Sequence, residues 1–204
     1  FGGVIVKGNE IGQHYQTFVK PPVRIPPFIE QKTNITNEML ENAPKLEEVI
    51  DDILNFIGDR VIVAHNADFD FNFINEKLIE MGRDPLKNTC LDTLNLAKEI
   101  VTNRKYYRLG LIARNYGVSY DDEEAHRGDY DAEVLAQILV RMLPTIKGYP
   151  DITFNDLQYK QDADIYKKAH TYNVTLLAKN MAGIKAIYEL VSLSHTDYLT
   201  YFAK

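Results

Sequence analysis

Residues 61–64, Val-Ile-Val-Ala, form a short apolar run that opens directly into a polar cluster, His65-Asn66-Ala67-Asp68-Phe69-Asp70. So short a run, rich in β-branched residues, predicts a buried strand, and the pattern after it predicts a helix over residues 68–81. A strand feeding straight into a helix is half of a βα unit, so the chain must lay helices against a sheet. A second segment, His126-Arg127-Gly128-Asp129-Tyr130-Asp131, sets a histidine five residues before an aspartate at the start of a long helical pattern. Hard metal ions take carboxylate oxygens. A hydrolytic water needs a group that accepts its proton near neutral pH, which histidine does. Asp70, Asp131 and His126 supply both kinds of group.

With 204 residues, 45% of them hydrophobic, the chain reads as one to two soluble globular domains. Its net charge of -6 gives no bulk attraction for nucleic acid. A metal site made of carboxylates is acidic in any case, and bound cations restore the local balance. Cys90 is the sole cysteine, so no internal disulfide forms and a reducing compartment is implied. Its simplest role is that of a small buried apolar residue. No apolar run approaches the ~20 residues that span a bilayer, so no membrane partner is expected. The opening FGGVIVKGNE has neither the basic start nor the long apolar core of a signal peptide.

Along the chain, residues 1–7 predict a strand, 8–10 a hairpin turn and 12–19 its return. The proline-rich stretch 21–28 reads as a loop. Thr36 precedes a short helix. A better one follows Pro44, with Leu46, Val49, Ile50, Ile53, Leu54 and Ile57 on one face and Gly58 as its stop. Residues 88–91 read as a strand, and 93–101, 109–116 and 130–143 as helices. In the last of these Val134, Leu135, Ile138, Leu139 and Met142 face the core. The composition shifts near 147–150. Beyond it 158–168 is polar and charged, 174–179 reads as a strand and 182–195 as a helix. The expectation is an α/β domain over 1–147 and a partial second domain over 148–204.

Four segments stand in order at sensible spacing: His65-Asn66-Ala67-Asp68-Phe69-Asp70, Cys90-Leu91-Asp92-Thr93-Leu94, Leu109-Gly110-Leu111-Ile112-Ala113 and His126-Arg127-Gly128-Asp129-Tyr130-Asp131. This series resembles the DEDDh family of 3′→5′ exonucleases. The resemblance implies an RNase H-like fold, a mixed sheet flanked by helices. It also implies Asp70 and Asp131 as metal ligands, His126 as general base and two Mg²⁺ or Mn²⁺ ions that activate water and stabilise the leaving oxygen. The family's other two acids stand in an Asp-x-Glu on a first strand ahead of the segment that FGGVIVK resembles. No Asp-x-Glu stands ahead of FGGVIVK in this sequence, so the expectation is a fold lacking its first strand, inactive alone.

Each residue also has a plainer role. Asp70 and Asp131 suit the first turn of a helix through the macrodipole. His65 and Asn66 suit hydrogen bonds that hold the strand end as well as contact with substrate. Phe69, Phe71 and Phe73 can stack on a base, yet their spacing spreads them around a helix, so at least one belongs to the core. Asp92 suits a cap for the helix after it. Arg104-Lys105-Tyr106-Tyr107-Arg108 reads as a solvated loop or as a phosphate contact.

The segments 152–157, 174–180 and 183–192 are similar to the stretch that follows the exonuclease in the PolC-type family of bacterial replicative polymerases, where the exonuclease interrupts a PHP domain. This second resemblance implies a proofreading nuclease acting on the single-stranded 3′ end of DNA. It further implies the remainder of a polymerase chain and replisome proteins as partners, and a cytoplasmic setting. Two alternatives remain at this level: a stand-alone epsilon-like or RNase T-like exonuclease, and a non-catalytic nucleic-acid-binding module.

Overall fold

The structure, a computed structural model, describes residues 1–101, 104–122, 124–157 and 175–196. The chain divides into two compact units, Phe1–Leu157 and Gln158–Lys204.

The first unit opens on an antiparallel hairpin of β1 (Gly2–Lys7) and β2 (Glu10–Gln16), with Lys7 opposite Glu10 and a bulge between Val4 and Val6. Gly8, at φ 61°, takes the left-handed conformation that so tight a turn needs. The helix α1 (Pro27–Thr33) occupies part of the stretch expected to be loop. Its Pro27 sits in the first turn, where a proline's missing N–H costs nothing and its φ is preset, so a proline-rich sequence starts a helix there. In α2 (Asn37–Glu41), the short helix expected after Thr36, Thr36 Oγ1 accepts from Met39 N–H at 3.2 Å and caps the first turn. The amphipathic α3 (Leu46–Ile57) buries Val49, Ile50 and Ile53, and its Phe56 stacks on Tyr15 of β2 at 5.4 Å between ring centroids.

The central unit is β3 (Ile62–Ala64), α4 (Ala67–Glu80) and β4 (Cys90–Asp92), with the two strands parallel and Ala64 beside Asp92. Parallel strands need a crossover, and α4 is it. Three helices follow: α5 (Thr93–Ile100), α6 (Leu109–Asn115) and α7 (Gly128–Met142). A 3-10 turn (Leu143–Thr145) and α8 (Phe154–Leu157) close the unit. The core is assembled from Leu91, Leu96, Ala97, Ile112, Ala113, Val118, Val134, Ile138, Leu139 and Met142, with Phe154 and Leu157 packed against it. On α7, Leu135 is only partly buried, and Ala136 is buried beside the expected Val134, Ile138, Leu139 and Met142.

The strands form two ladders, antiparallel β1–β2 and parallel β3–β4, and helices flank both, giving the mixed RNase H-like α/β arrangement. The start of α7 lies against the start of β1. A Cβ on Gly2 would stand 2.2 Å from the Asp129 nitrogen, so only a residue without a side chain lets the strand approach the helix this closely.

In the second unit the described part is residues 175–196. α9 (Met181–Thr196) forms over the predicted helix, and Met181, Tyr188 and Leu190 on it are exposed. The predicted strand at 174–179 does not form at 175–178, which carry no regular structure. A strand needs a ladder partner for its backbone groups, and no described residue supplies one here. Val174 and the polar stretch 158–168 lie outside the described residues.

Candidate active site

Parallel strands β3 and β4 end side by side, and their last residues carry the polar groups. Asn66, the N-cap of α4, has φ 75°. Asparagine is among the few side-chain-bearing residues that visit this region readily. Its backbone N–H donates to Asp92 Oδ1 at 3.0 Å. The same oxygen accepts from Leu94 N–H at 2.8 Å, so Asp92 caps α5 as expected and also clamps the start of α4.

His65 is held at both ring nitrogens. Nε2 lies 2.6 Å from the Tyr107 carbonyl and Nδ1 lies 3.0 Å from Thr93 Oγ1. A carbonyl accepts only, so Nε2 carries the proton there. Burial pushes the His65 pKa down, the Tyr107 carbonyl and Asp92 opposing, which favours the neutral ring with Nδ1 as acceptor. Thr93, 1% exposed, then shares its single hydroxyl proton between Nδ1 and the Ala64 carbonyl at 3.1 Å. Both nitrogens are engaged inside the protein, so His65 pins the strand end.

Asp70 lies on the first turn of α4 and is exposed. Desolvation and, less strongly, the charge of Asp92 push its carboxyl pKa up, while its own backbone N–H opposes; at an exposed position solvent screens these effects. Cys90 sits among the same acids. Burial first, and then Asp92, Asp68 and Asp70, raise its thiol to about 11, so it is a neutral thiol at physiological pH. On the outer side of α4, Phe69 is 71% and Phe73 is 56% exposed. They stand one helical turn apart on one face, and Phe71 is the more buried of the three.

The second group is at the start of α7. His126 has φ 67°, a left-handed conformation that is unusual for a residue with a side chain. Its backbone N–H donates to Asp131 Oδ2 at 3.1 Å, which fixes the turn, while its side chain is exposed. Strain of this kind persists where surrounding bonds over-determine it, and such residues cluster at functional sites. The other carboxylate oxygen, Asp131 Oδ1, is buried with no hydrogen-bond partner. Desolvation raises the Asp131 pKa and Asp129 adds to this, with His126 pulling against them. Glu133 Oε2 is also buried without a hydrogen-bond partner, but it faces His14 Nε2 at 3.4 Å.

The structure thus brings His126 and Asp131 together, and separately Asp70, Asp92, Cys90, His65 and Asn66. No hydrogen bond or ion pair joins the two groups among the described residues. Nor is there, among those residues, a group of three or more His, Cys, Asp or Glu side chains placed to hold a metal ion. The donors fit a divalent ion in part: the unpartnered Asp131 Oδ1 is the kind of buried anionic oxygen a hard cation satisfies, and Asp70 offers a second carboxylate. Sequence reasoning treated Asp92 as a cap alone and gave Thr93 no role. The Leu-Asp-Thr-Leu motif was the available signal, since a buried threonine beside a strand end needs a partner for its hydroxyl.

Comparison with known proteins gives one consistent answer. The family described as Exonuclease matches residues 1–139. The chain is 40% identical over 201 residues to a DNA polymerase III PolC-type protein of Ureaplasma parvum, covering 97% of this chain and 14% of that one. The PolC-type protein of Clostridium perfringens is 39% identical with the same coverage. The chain therefore spans only 14% of the length of these curated relatives. Among solved structures, exonuclease X in complex with 5′ overhanging duplex DNA is similar at a TM-score of 0.58 and 22% identity, covering 76% of this chain and 84% of that one. A full-length 3′-exonuclease follows at 0.59 and 19%, covering 71% and 52%. These likenesses carry the fold, and the family match over residues 1–139 carries the assignment: the chain belongs to the exonuclease family.

Proposed function

We propose that this chain is the proofreading 3′→5′ exonuclease region of a PolC-type replicative DNA polymerase, with 1–147 forming the nuclease and 148–204 a segment of a PHP domain. The observation that supports this most is the turn before α7, where a strained His126 is locked by Asp131, whose second oxygen is buried and unpartnered. The identity to PolC-type proteins runs through both parts of the chain.

In this reading Asp131 and Asp70 hold Mg²⁺ or Mn²⁺, ions that suit carboxylate oxygens. Such an ion, when bound, polarises the phosphate and makes a bound water more acidic. The residues of the chain do the rest. His126, with an exposed ring, takes the proton of the attacking water. Asp131 Oδ2 fixes the backbone of His126 and hence the direction of that ring. Phe69 offers a face on which the terminal base stacks, Asn66 contacts the same nucleotide, and His65 holds the strand end under both. The substrate is the single-stranded 3′ end of DNA, and the partners are the remainder of the polymerase and other replisome proteins. Two carboxylates fall well short of the ~6 oxygens each hard ion takes.

The test is hydrolysis of a 3′-labelled oligonucleotide by a polymerase that carries this segment. His126→Ala should cut the rate by about 10²–10⁴-fold while polymerisation persists. An unchanged nuclease rate would show that His126 is not the base.

A further inference from the structure

Residues 104–108, Arg-Lys-Tyr-Tyr-Arg, form the loop ahead of α6. Tyr107 anchors it twice. Its hydroxyl donates to the Val101 carbonyl at 2.9 Å, and its own carbonyl accepts from His65 at 2.6 Å. The loop is therefore fastened to the end of β3, one residue from Asn66. Around this anchor the other side chains face solvent. Tyr106 is 55% exposed, with Lys105 Nζ 5.4 Å and Arg108 Cζ 5.9 Å from its ring centroid. Both cations lie within cation–π range of the ring, a contact that leaves their charge unneutralised.

Arg104 is taken up by Asn115 Oδ1 at 2.7 Å. Elsewhere Arg83 pairs with Asp51, Arg114 with Asp122, and Arg127 with Glu124 and Asp129. Among the described residues no ion pair involves Lys105 or Arg108. Lys98, on α5, adds a third positive charge close enough to be felt at His65. In a chain of net charge -6, two cations beside an exposed ring, with no ion pair among the described residues, are placed for an anionic, aromatic partner. Nucleic acid is both.

We propose that Lys105, Tyr106 and Arg108 bind the substrate strand behind its terminal nucleotide, Tyr106 stacking on an unpaired base and the two cations holding the flanking phosphates. This rests on the exonuclease reading and extends it along the strand. Stacking requires a free base face, which single-stranded DNA offers and a duplex does not. The phosphate contacts carry no sequence information, so affinity is tolerant of sequence and sensitive to salt. The His65–Tyr107 bond sets the distance between this contact and the strand end that carries Asn66.

The experiment is fluorescence anisotropy with the 204-residue chain, a labelled single-stranded DNA oligonucleotide and EDTA, so that neither metal nor cleavage contributes. Tyr106→Ala should weaken binding by about 5- to 100-fold, and Tyr106→Phe should restore most of it. Lys105→Gln combined with Arg108→Gln should lower the salt slope of log K by about 1.4, the share of two phosphates on a single strand. All three side chains are exposed, and thermal melting of each variant checks that the fold is intact. Wild-type affinity in Tyr106→Ala, equal affinity for a fully paired duplex, or no binding by the wild type would each overturn the proposal. The exonuclease reading fails on a different measurement, the hydrolysis rate of His126→Ala, which leaves these affinities untouched.

Discussion

Replacing Asp131 by asparagine should make the protein more stable while removing its part in hydrolysis. Oδ2 accepts from the His126 N–H, and an asparagine oxygen does the same. Oδ1 is buried without a hydrogen-bond partner, and asparagine puts an uncharged amide nitrogen in its place, so what is relieved is the burial of charge, which His126 offsets only in part. An unpaired buried polar group costs about 1–3 kcal/mol, and more when charged. The side chain as a whole is only half-buried, and solvent screening brings the net gain to about 1 kcal/mol. For a chain of this size that shifts Tm by about 2–4 °C. The sign follows from the raised pKa. A carboxyl whose pKa is higher in the folded state contributes stability fully below its unfolded value of 3.8, and loses it as pH rises through the folded value. The advantage of Asp131→Asn should therefore be open at neutral pH and close on acidification to about pH 4. Urea unfolding followed by circular dichroism at both pH values measures it. Mn²⁺ adds a second axis: with a Kd of ~1 mM, ~10 mM metal adds about 1.4 kcal/mol to the wild type and less to the variant. A variant less stable than wild type at neutral pH, or a difference that ignores pH, would refute the reasoning.

Two further expectations test the strand end. Thr93→Val keeps the shape and removes the hydroxyl that serves both Ala64 and His65, so it should cost about 1–3 kcal/mol in urea unfolding; a neutral effect would show that the buried hydroxyl does not hold the site. The lowered pKa of His65 means that its unfolded form takes up a proton first as pH falls below about 6.5, so stability should decline from there until the folded ring also protonates. Unfolding free energies of the wild type and His65→Gln, compared across that range, isolate this contribution, and parallel curves would count against a buried neutral ring.

Much of the fold was legible because its signals are local. The α3 stripe, the short helix after Thr36 and the Gly8-Asn9-Glu10 turn are all specified within a few residues of sequence. The helix at Pro27 was obscured because prolines mark loops and first turns alike. Residues 175–178 read as a strand by composition, but a ladder is a property of two segments, and composition reports only one. At the site, chemical type was visible and partnership was not. Asp131 and His126 could be paired from their spacing of five, since one helix start brings them together. The joining of His65, Thr93 and Tyr107 spans 28 and 42 residues of chain, and no local pattern encodes it. The relation between Asp70 and Asp131 is likewise not a matter of local spacing, as they lie on separate helices.

The Asp92 oxygen that bonds Asn66 and Leu94 has a consequence for motion. One atom serves the first turns of two helices, α4 and α5, that leave neighbouring strands. If the start of α5 frays and carries Asp92 away, Asn66 loses its acceptor too, so opening of α5 also loosens the start of α4. Asp70 on α4, and His65 through Thr93 on α5, are thereby tied to a common joint. Displacing Asp92 would therefore disturb the acidic and the pinning residues at once.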